Sequence, residues 1–275
     1  MRVRIDGKLA MVTGASSGIG RALARLLAPR VRGLVLVARR RERLDELGAE
    51  LRRVAPSLRV LVQGCDLADE GATEAMLEQV QAELGAVDIL INNAGLGDYA
   101  LFDRASWDKT ERMLKVNVLG LCRLTHRLLG PMVEQGSGGV LMVSSGLGLA
   151  FLPGYAAYAG SKHFVTAFTE ALRLELCGSG VTVSQICPGP VATEFEELAG
   201  SFAGRRLPRL VQMSPERCAA IALRGFERGR ALVVPGIGMR LVLWLAALAP
   251  RAILRLVLAP VGRWLRRRAR RDGAP

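Results

Sequence analysis

The sequence predicts an α/β fold: one doubly wound parallel β-sheet of about seven strands, with helices on both faces. Three observations predict it. Short apolar runs alternate with segments of helical period as far as about residue 235. A glycine-rich turn follows the first of those runs. No solenoid repeat or low-complexity tract breaks the alternation over the first 235 residues. Apolar runs separated by amphipathic helices imply βαβ crossovers, which bury a parallel sheet on both faces.

Taken in order, the first strand is 9–13, and the glycine turn leads into a helix over 19–27. The second strand, 31–38, precedes an amphipathic helix over 40–54, and the third, 59–63, precedes one over 70–84. The fourth strand is 87–91, with a helix-like run at 113–129 beyond it. The fifth, 140–144, is followed by a helix opening at Tyr158; the sixth is 181–186 and the last 231–234. This organisation gives one domain over 1–235 and an apolar, arginine-rich extension over 236–275.

The formal net charge of +13 is unevenly spread. Arg263, Arg266, Arg267, Arg268, Arg270 and Arg271 crowd the C-terminus against one acid, Asp272. Such a run suits an anionic partner (a lipid surface, nucleic acid or a phosphorylated ligand) or a solvated tail. No nucleic-acid motif and no aromatic stacking platform accompanies it, so no specific nucleic-acid partner is expected. Cys65, Cys122, Cys177, Cys187 and Cys218 are odd in number, widely spaced and mostly in apolar runs. That fits reduced, buried thiols in a cytoplasmic protein. With no CxxC pair, and with His126 and His163 far apart, no metal site is expected. The N-terminal residues hold too short an apolar stretch for a signal peptide. The most apolar region, 237–261, is interrupted by Arg240, Pro250, Arg251, Arg255 and Pro260. A spanning helix needs about 20 mostly apolar residues, so this region reads as two short apolar helices lying on something.

The turn reads Thr13-Gly14-Ala15-Ser16-Ser17-Gly18-Ile19-Gly20. A phosphate needs close backbone approach and free N–H donors. Glycines permit the approach, and a helix N-terminus supplies donors with partial positive charge. Gly14, Gly18 and Gly20 are spaced for this as GxxxGxG. An ordinary βα turn is the bland alternative, and the position at the first βα junction favours the phosphate site. Farther along, Tyr158 and Lys162 stand four apart, on one face of a helix.

These motifs, in this order, resemble the short-chain dehydrogenase/reductase family. The turn at 13–20 is similar to the family's cofactor fingerprint. Asn92-Asn93-Ala94-Gly95 ends the fourth strand, Asn117 lies in the 113–129 run, and Ser145 follows the fifth strand. Tyr158-Ala-Gly-Ser-Lys162 opens the next helix, and Pro188-Gly189-Pro190 with Thr193 follows the sixth strand. The resemblance covers residues 8 to about 235 and, through the apolar and basic extension, points to a bacterial branch of the family. It implies a Rossmann-like sheet, a nicotinamide cofactor, and hydride transfer between that cofactor and a ketone or secondary alcohol.

The resemblance places Gly14, Ser16, Ser17, Gly18, Ile19 and Gly20 at the cofactor phosphates, and Asp66 and Leu67 at the adenine. It places Asn93, Ala94 and Gly95 along the adenosine ribose, and Tyr158, Lys162, Pro188, Gly189, Val191 and Thr193 around the nicotinamide. At the end of the second strand a free ribose 2′-hydroxyl favours an acid, and a 2′-phosphate favours a cation. The chain there reads Ala38-Arg39-Arg40-Arg41, with no acid before Glu42. Arginine grips phosphate with two donors. NADP(H) is therefore expected over NAD(H), with Arg39 as main contact and Arg40 in support. The alternative is that these arginines merely start a solvated helix, although there they oppose its macrodipole.

The implied chemistry needs a phenol that exchanges protons near neutrality. A free tyrosine has a pKa of about 10, and lowering it by about three units takes roughly 4 kcal/mol. An ammonium and an oxidised nicotinamide close by are expected to supply it, with Tyr158 as the proton donor and acceptor. By the resemblance Ser145, at the family's spacing before Tyr158, holds the substrate oxygen; Asn117 fixes a water near Lys162 and completes a proton relay. Ser144 should face away from the cleft. Tyr155 lacks a lysine four residues on, and His163 reads as structural.

Residues 194–213, with Phe195, Leu198, Phe202, Leu207 and Leu210, are expected to form a lid, and their apolarity favours a lipophilic substrate (3-oxoacyl, steroid-like or lipid). The extension carries Trp244 and Trp264 among leucines and spaced arginines. It suits a helix peripheral to an anionic membrane, at the inner face, or an arm covering a dimer partner or the substrate mouth. The resemblance further implies a homodimer or homotetramer. A non-enzymatic NADP-binding sensor or membrane-associated scaffold on the same fold is the rival reading, but a pure binder has no need of the relay. A methyltransferase would explain neither the Tyr158–Lys162 pair nor Asn92-Asn93-Ala94-Gly95.

Overall fold

Strand β1, Leu9–Thr13, is buried at every position, and its side chains divide by alternation between two cores. Ala10 and Val12 enter one cluster, Leu9 and Met11 the other. In this computed structural model, which describes residues 2–200 and 212–271, six further strands join it: β2 (Gly33–Ala38), β3 (Arg59–Gly64), β4 (Ile89–Asn92), β5 (Gly138–Val143), β6 (Val181–Ile186) and β7 (Leu232–Val233). They form one sheet in the order β3-β2-β1-β4-β5-β6-β7. Every pairing is parallel. The expected α/β, Rossmann-like sheet with helices on both faces is therefore the fold.

Helices α1 (Gly18–Leu27) and α2 (Arg41–Val54) pack on one face, with Leu23, Leu27, Leu44 and Leu47 in its core. Helix α3 (Glu70–Leu84) covers the other, burying Met76, Leu77 and Val80. Its start is fixed by Asp69, whose carboxylate accepts from the Ala72 N–H at 2.9 Å. The 113–129 run is the middle of a longer helical stretch: α4 (Trp107–Leu114), a π-turn at Lys115–Gly120, then α5 (Leu121–Glu134). Helix α6 (Ala156–Glu175) carries Tyr158 and Lys162 and buries Val165 and Leu172 in the α3 core. A short α7 (Phe195–Ala199) follows β6, and α8 (Pro215–Glu227) returns to the α1 face. The extension folds as α9 (Ile237–Leu248) and α10 (Arg251–Arg271).

Just before β4, the Asp88 carboxylate accepts from the Leu9 N–H at 2.8 Å and pairs with Lys8. Cys65, Cys187 and Cys218 are buried, but Cys177 is exposed and Cys122 half-buried. The strand order turns back between β1 and β4. A cleft therefore opens beyond their C-terminal ends, the place where open α/β sheets bind ligands.

Candidate active site

The cleft floor is made where β1 ends. The Thr13 hydroxyl accepts from the N–H groups of Asn93 and Ala94, each at 2.9 Å, and so ties the end of β1 to the segment after β4. The Asn93 side-chain amide donates to the carbonyls of Thr13 (2.8 Å) and Gly14 (3.3 Å). Asn93 therefore braces the turn, and only its main chain is left to line a ribose. Gly14 adopts φ +66°, and a Cβ there would lie 2.7 Å from that amide. Gly18, at φ +55°, is covered by Thr193, whose methyl a Cβ would meet at 2.9 Å. Only glycine fits at either position. Ser17 precedes α1 without capping it, and no acid occupies the first turn. The first N–H groups of α1 therefore keep their donors and their positive end for an anion.

Arg40 donates to the hydroxyls of Ser16 (3.2 Å) and Ser17 (3.0 Å). Arg39, expected as the leading cation, is exposed beyond β2. Sequence reasoning missed Glu194. Its two oxygens take Arg40 at 2.7 Å and Arg43 at 2.6 Å, and those arginines hold its carboxyl below the usual range. Asp66 accepts from the Ala68 N–H at 3.1 Å and is ion-paired with Arg112, while Leu67 is buried. Helix donors, two hydroxyls and two cations make a donor set that fits a dinucleotide's phosphates.

Helix α6 turns Tyr158 and Lys162 inward, and both are buried. The Lys162 amine donates to the Val143 carbonyl at 2.9 Å. Ser144 faces α6, as expected: its hydroxyl donates to the Lys162 carbonyl at 3.1 Å and bonds Thr166. Ser145 begins the turn after β5 and accepts from the Leu147 N–H at 3.1 Å. A Cβ on Gly95 would lie 3.3 Å from Lys162 Nζ and 3.4 Å from Asn117 Oδ1, which places both groups on this loop. Asn117 lies in the π-turn, a feature frequent at functional sites. Its side chain grips Leu96 at both N–H and C=O, each at 2.8 Å, and donates to Ser161 at 3.1 Å. The Asn117 side chain thereby clamps the Leu96 segment beside Lys162.

Burial pushes the Tyr158 phenol up to about 12, offset in part by hydrogen bonding with the Ser145 side chain. Burial pulls the Lys162 amine down to about 8. In the protein alone, desolvation outweighs hydrogen bonding at Tyr158. Around the phenol stand the rings of Phe195 at 5.6 Å and Tyr155 at 6.2 Å, and Tyr155 in turn contacts Tyr99 at 4.8 Å. His163 is exposed, bonding Ala159 O on its own helix. No group of the described residues could hold a metal ion.

The nicotinamide-side loop, Pro188-Gly189-Pro190, is joined to Ser145's turn by the Gly146 N–H donating to Pro188 O at 2.7 Å. Val191 pairs with Met213, the Ala192 N–H donating to Met213 O and the Met213 N–H to Pro190 O, each at 3.0 Å. From the extension, Met239 lies against Gly189 so closely that a Cβ there would meet its methyl at 2.5 Å. Leu243 reaches Gly146, and Gly262 lies on Pro153. Arg104 donates to Ala269 O at 2.8 Å, and Arg266 pairs with Asp103. The arm thus packs across the substrate side of its own cleft. Of the expected lid, Phe195 faces Tyr158 and Leu198 is exposed; Phe202, Leu207 and Leu210 lie outside the described residues.

A family model described as short chain dehydrogenase matches residues 8–202. Putative oxidoreductase SadH of Mycobacterium tuberculosis is 33% identical over 275 residues, 94% of this chain and 97% of that protein. Glycine betaine reductase ATRR of Emericella nidulans is 37% identical over 191 residues, 70% of this chain but only 15% of that protein's length. Among solved structures, a short-chain dehydrogenase from Sphingobium yanoikuyae in complex with NADPH aligns with TM-score 0.78 at 30% identity, covering 87% of this chain and 93% of its own. A 3-ketoacyl-(acyl-carrier-protein) reductase from Brucella melitensis complexed with NADH aligns with TM-score 0.74 at 25% identity, covering 84% and 97%.

Proposed function

The chain belongs to the short-chain dehydrogenase family, and from that premise we propose an NADP(H)-dependent oxidoreductase acting on lipophilic ketones and secondary alcohols. The coarser part follows from membership: the protein is an oxidoreductase that uses a nicotinamide cofactor on an alcohol/carbonyl pair. The observation that carries the reading is the gathering of Lys162 and Asn117 at Gly95, with Tyr158 and Ser145 beside them and an uncapped helix end across the cleft.

When bound, the nicotinamide supplies the hydride donor or acceptor and, when oxidised, a positive charge. Ser145 holds the substrate oxygen. Tyr158 donates to that oxygen in reduction and, as phenolate, takes the proton in oxidation, a form that positive charge from Lys162 and an oxidised nicotinamide would favour. Lys162, with its pKa about 8, keeps its charge at neutral pH and steadies the phenolate as it forms. Asn117 clamps the Leu96 segment and would fix the relay water near Lys162. Phe195, Tyr155 and Met239 give the substrate side an apolar lining, which supports a lipophilic substrate over a sugar. Arg39 and Arg40, with no acid before Glu42, support the 2′-phosphate reading. Leu119, Val133, Phe164 and Leu174 remain exposed along the π-turn, α5 and α6 and support a homodimer or homotetramer through those faces.

Two measurements test this. Tyr158→Phe is expected to lower turnover by about 10²–10⁴-fold with NADPH affinity unchanged; near-wild-type turnover would refute the mechanism. Fluorescence titration is expected to show NADPH binding tighter than NADH, and the reverse order would overturn the role given to Arg39 and Arg40.

A further inference from the structure

Helices α9 and α10 are apolar on two sides. Their inner side is spent within the chain: Met239 and Leu243 meet Gly189 and Gly146, and Leu265 is buried beneath α10. The outer side keeps large apolar groups in the open. Ile237 is 86% and Leu256 76% exposed, and Leu241, Trp244, Leu248 and Trp264 are exposed with them. A helix on a water-facing surface turns polar residues outward, and so wide an apolar patch marks an interaction site. Its charges have one sign: residues 236–271 hold nine arginines and no acid.

We infer that this outer face docks on an anionic lipid bilayer, with α9 and α10 lying flat in its interface. Apolar side chains enter the acyl boundary, tryptophans sit at headgroup level, and arginines snorkel to lipid phosphates. Among the described residues no single helix is long and apolar enough to cross a bilayer; α9 and α10 pass that test only as a pair bent by 117°. The bend, with arginines on both helices, suits lying flat. A second copy of the chain is a poorer occupant, because a two-fold contact through this face sets arginines against arginines. Nucleic acid would use the charge and leave the apolar groups in water. Because the inner side covers the cleft, docking sets the substrate mouth against the lipid. On the reading proposed above, a lipophilic substrate then enters from the bilayer.

Co-sedimentation of the full chain with phosphatidylcholine vesicles, with and without phosphatidylglycerol, tests the surface. Binding is expected with phosphatidylglycerol only, and should weaken as salt is raised. Leu241→Ser/Leu256→Asp should cut the bound fraction about tenfold while leaving the melting temperature and NADPH affinity as they were. Arg263→Gln/Arg267→Gln/Arg270→Gln should flatten the dependence on phosphatidylglycerol, and it decides the matter if the first variant fails to fold. Wild-type protein that stays in the supernatant, or that binds both vesicle types equally, overturns the inference. So does an apolar variant that turns a dimer into a monomer in sedimentation without changing vesicle binding, since the face is then a subunit contact. Vesicle binding by a protein with no turnover would sink the catalytic reading and leave this surface standing.

Discussion

Lys162 is a buried amine whose described hydrogen bond is to the Val143 carbonyl, and its placement ties stability to pH. Its pKa is about 8 in the folded chain against 10.5 when exposed. Between those values the unfolded chain binds the proton more firmly, so this group makes stability rise with pH across that window. Tyr158 acts in the opposite sense and higher up: its contribution is present below pH 10 and lost as pH rises through about 12. Wild type should therefore gain about 3 kcal/mol relative to Lys162→Met between pH 7 and 10.5, read by urea unfolding. An unchanged difference would mean the amine is not desolvated. A second residue-scale prediction concerns Glu194, which occupies both Arg40 and Arg43. Half-exposed pairs of this kind are worth about 0.2–1 kcal/mol. Glu194→Gln should free the arginines and tighten NADPH binding by about 2- to 5-fold, with NADH little affected; an equal gain for both cofactors would show that the 2′-phosphate is not the beneficiary. The residues proposed as catalytic were legible because their spacing along one chain is itself the signal. Glu194 was not, since its partners lie 154 and 151 positions away and no periodicity links them.

Elements carry the next layer, and the π-turn at Lys115–Gly120 is the instructive one. The hydrophobic pattern announces a helix over 113–129, yet a single wider turn shifts the phase too little to be read from apolar spacing. That turn carries Asn117, which holds Leu96 at two points. Asn117→Ala leaves the Leu96 N–H and C=O without that partner, at about 2–3 kcal/mol in all. A chain of this size should then melt about 4–5 °C lower, and NADPH binding should weaken with it. A melting temperature unchanged within about 1 °C would show that water replaces the clamp. The strands, by contrast, were legible to within two residues at each end, because a parallel sheet covered on both faces demands unbroken apolar runs. β1 and β6 match their expected spans, and the edge strand β7 shrinks to two residues, where one neighbour instead of two supports the pairing.

The whole molecule is a sheet whose substrate side is closed by its own C-terminal arm. Composition foretold two apolar helices there, but not which side faces the protein, because apolar residues occur all round them. The structure distinguishes the sides through a few contacts: Met239 on Gly189, Leu243 at Gly146, and Gly262 on Pro153. If those contacts are what holds the arm, weakening one should loosen the arm alone. Leu243 is 7% exposed, and Leu243→Ser removes buried apolar volume of the kind that costs about 2–5 kcal/mol in a core. Local opening rises tenfold for each 1.4 kcal/mol or so. Trypsin, which finds nine arginines between 236 and 271, should then cut the arm about a hundredfold faster while the 2–200 region resists as before. Because the arm meets the Gly146, Pro153 and Gly189 loops, on the proposed reading KM for a bulky ketone should rise while NADPH affinity holds. Cleavage spread evenly along the chain would mean instead that Leu243 supports the global fold. An unchanged arm would place its anchor elsewhere, in Arg266–Asp103 and the Arg104 bond to Ala269.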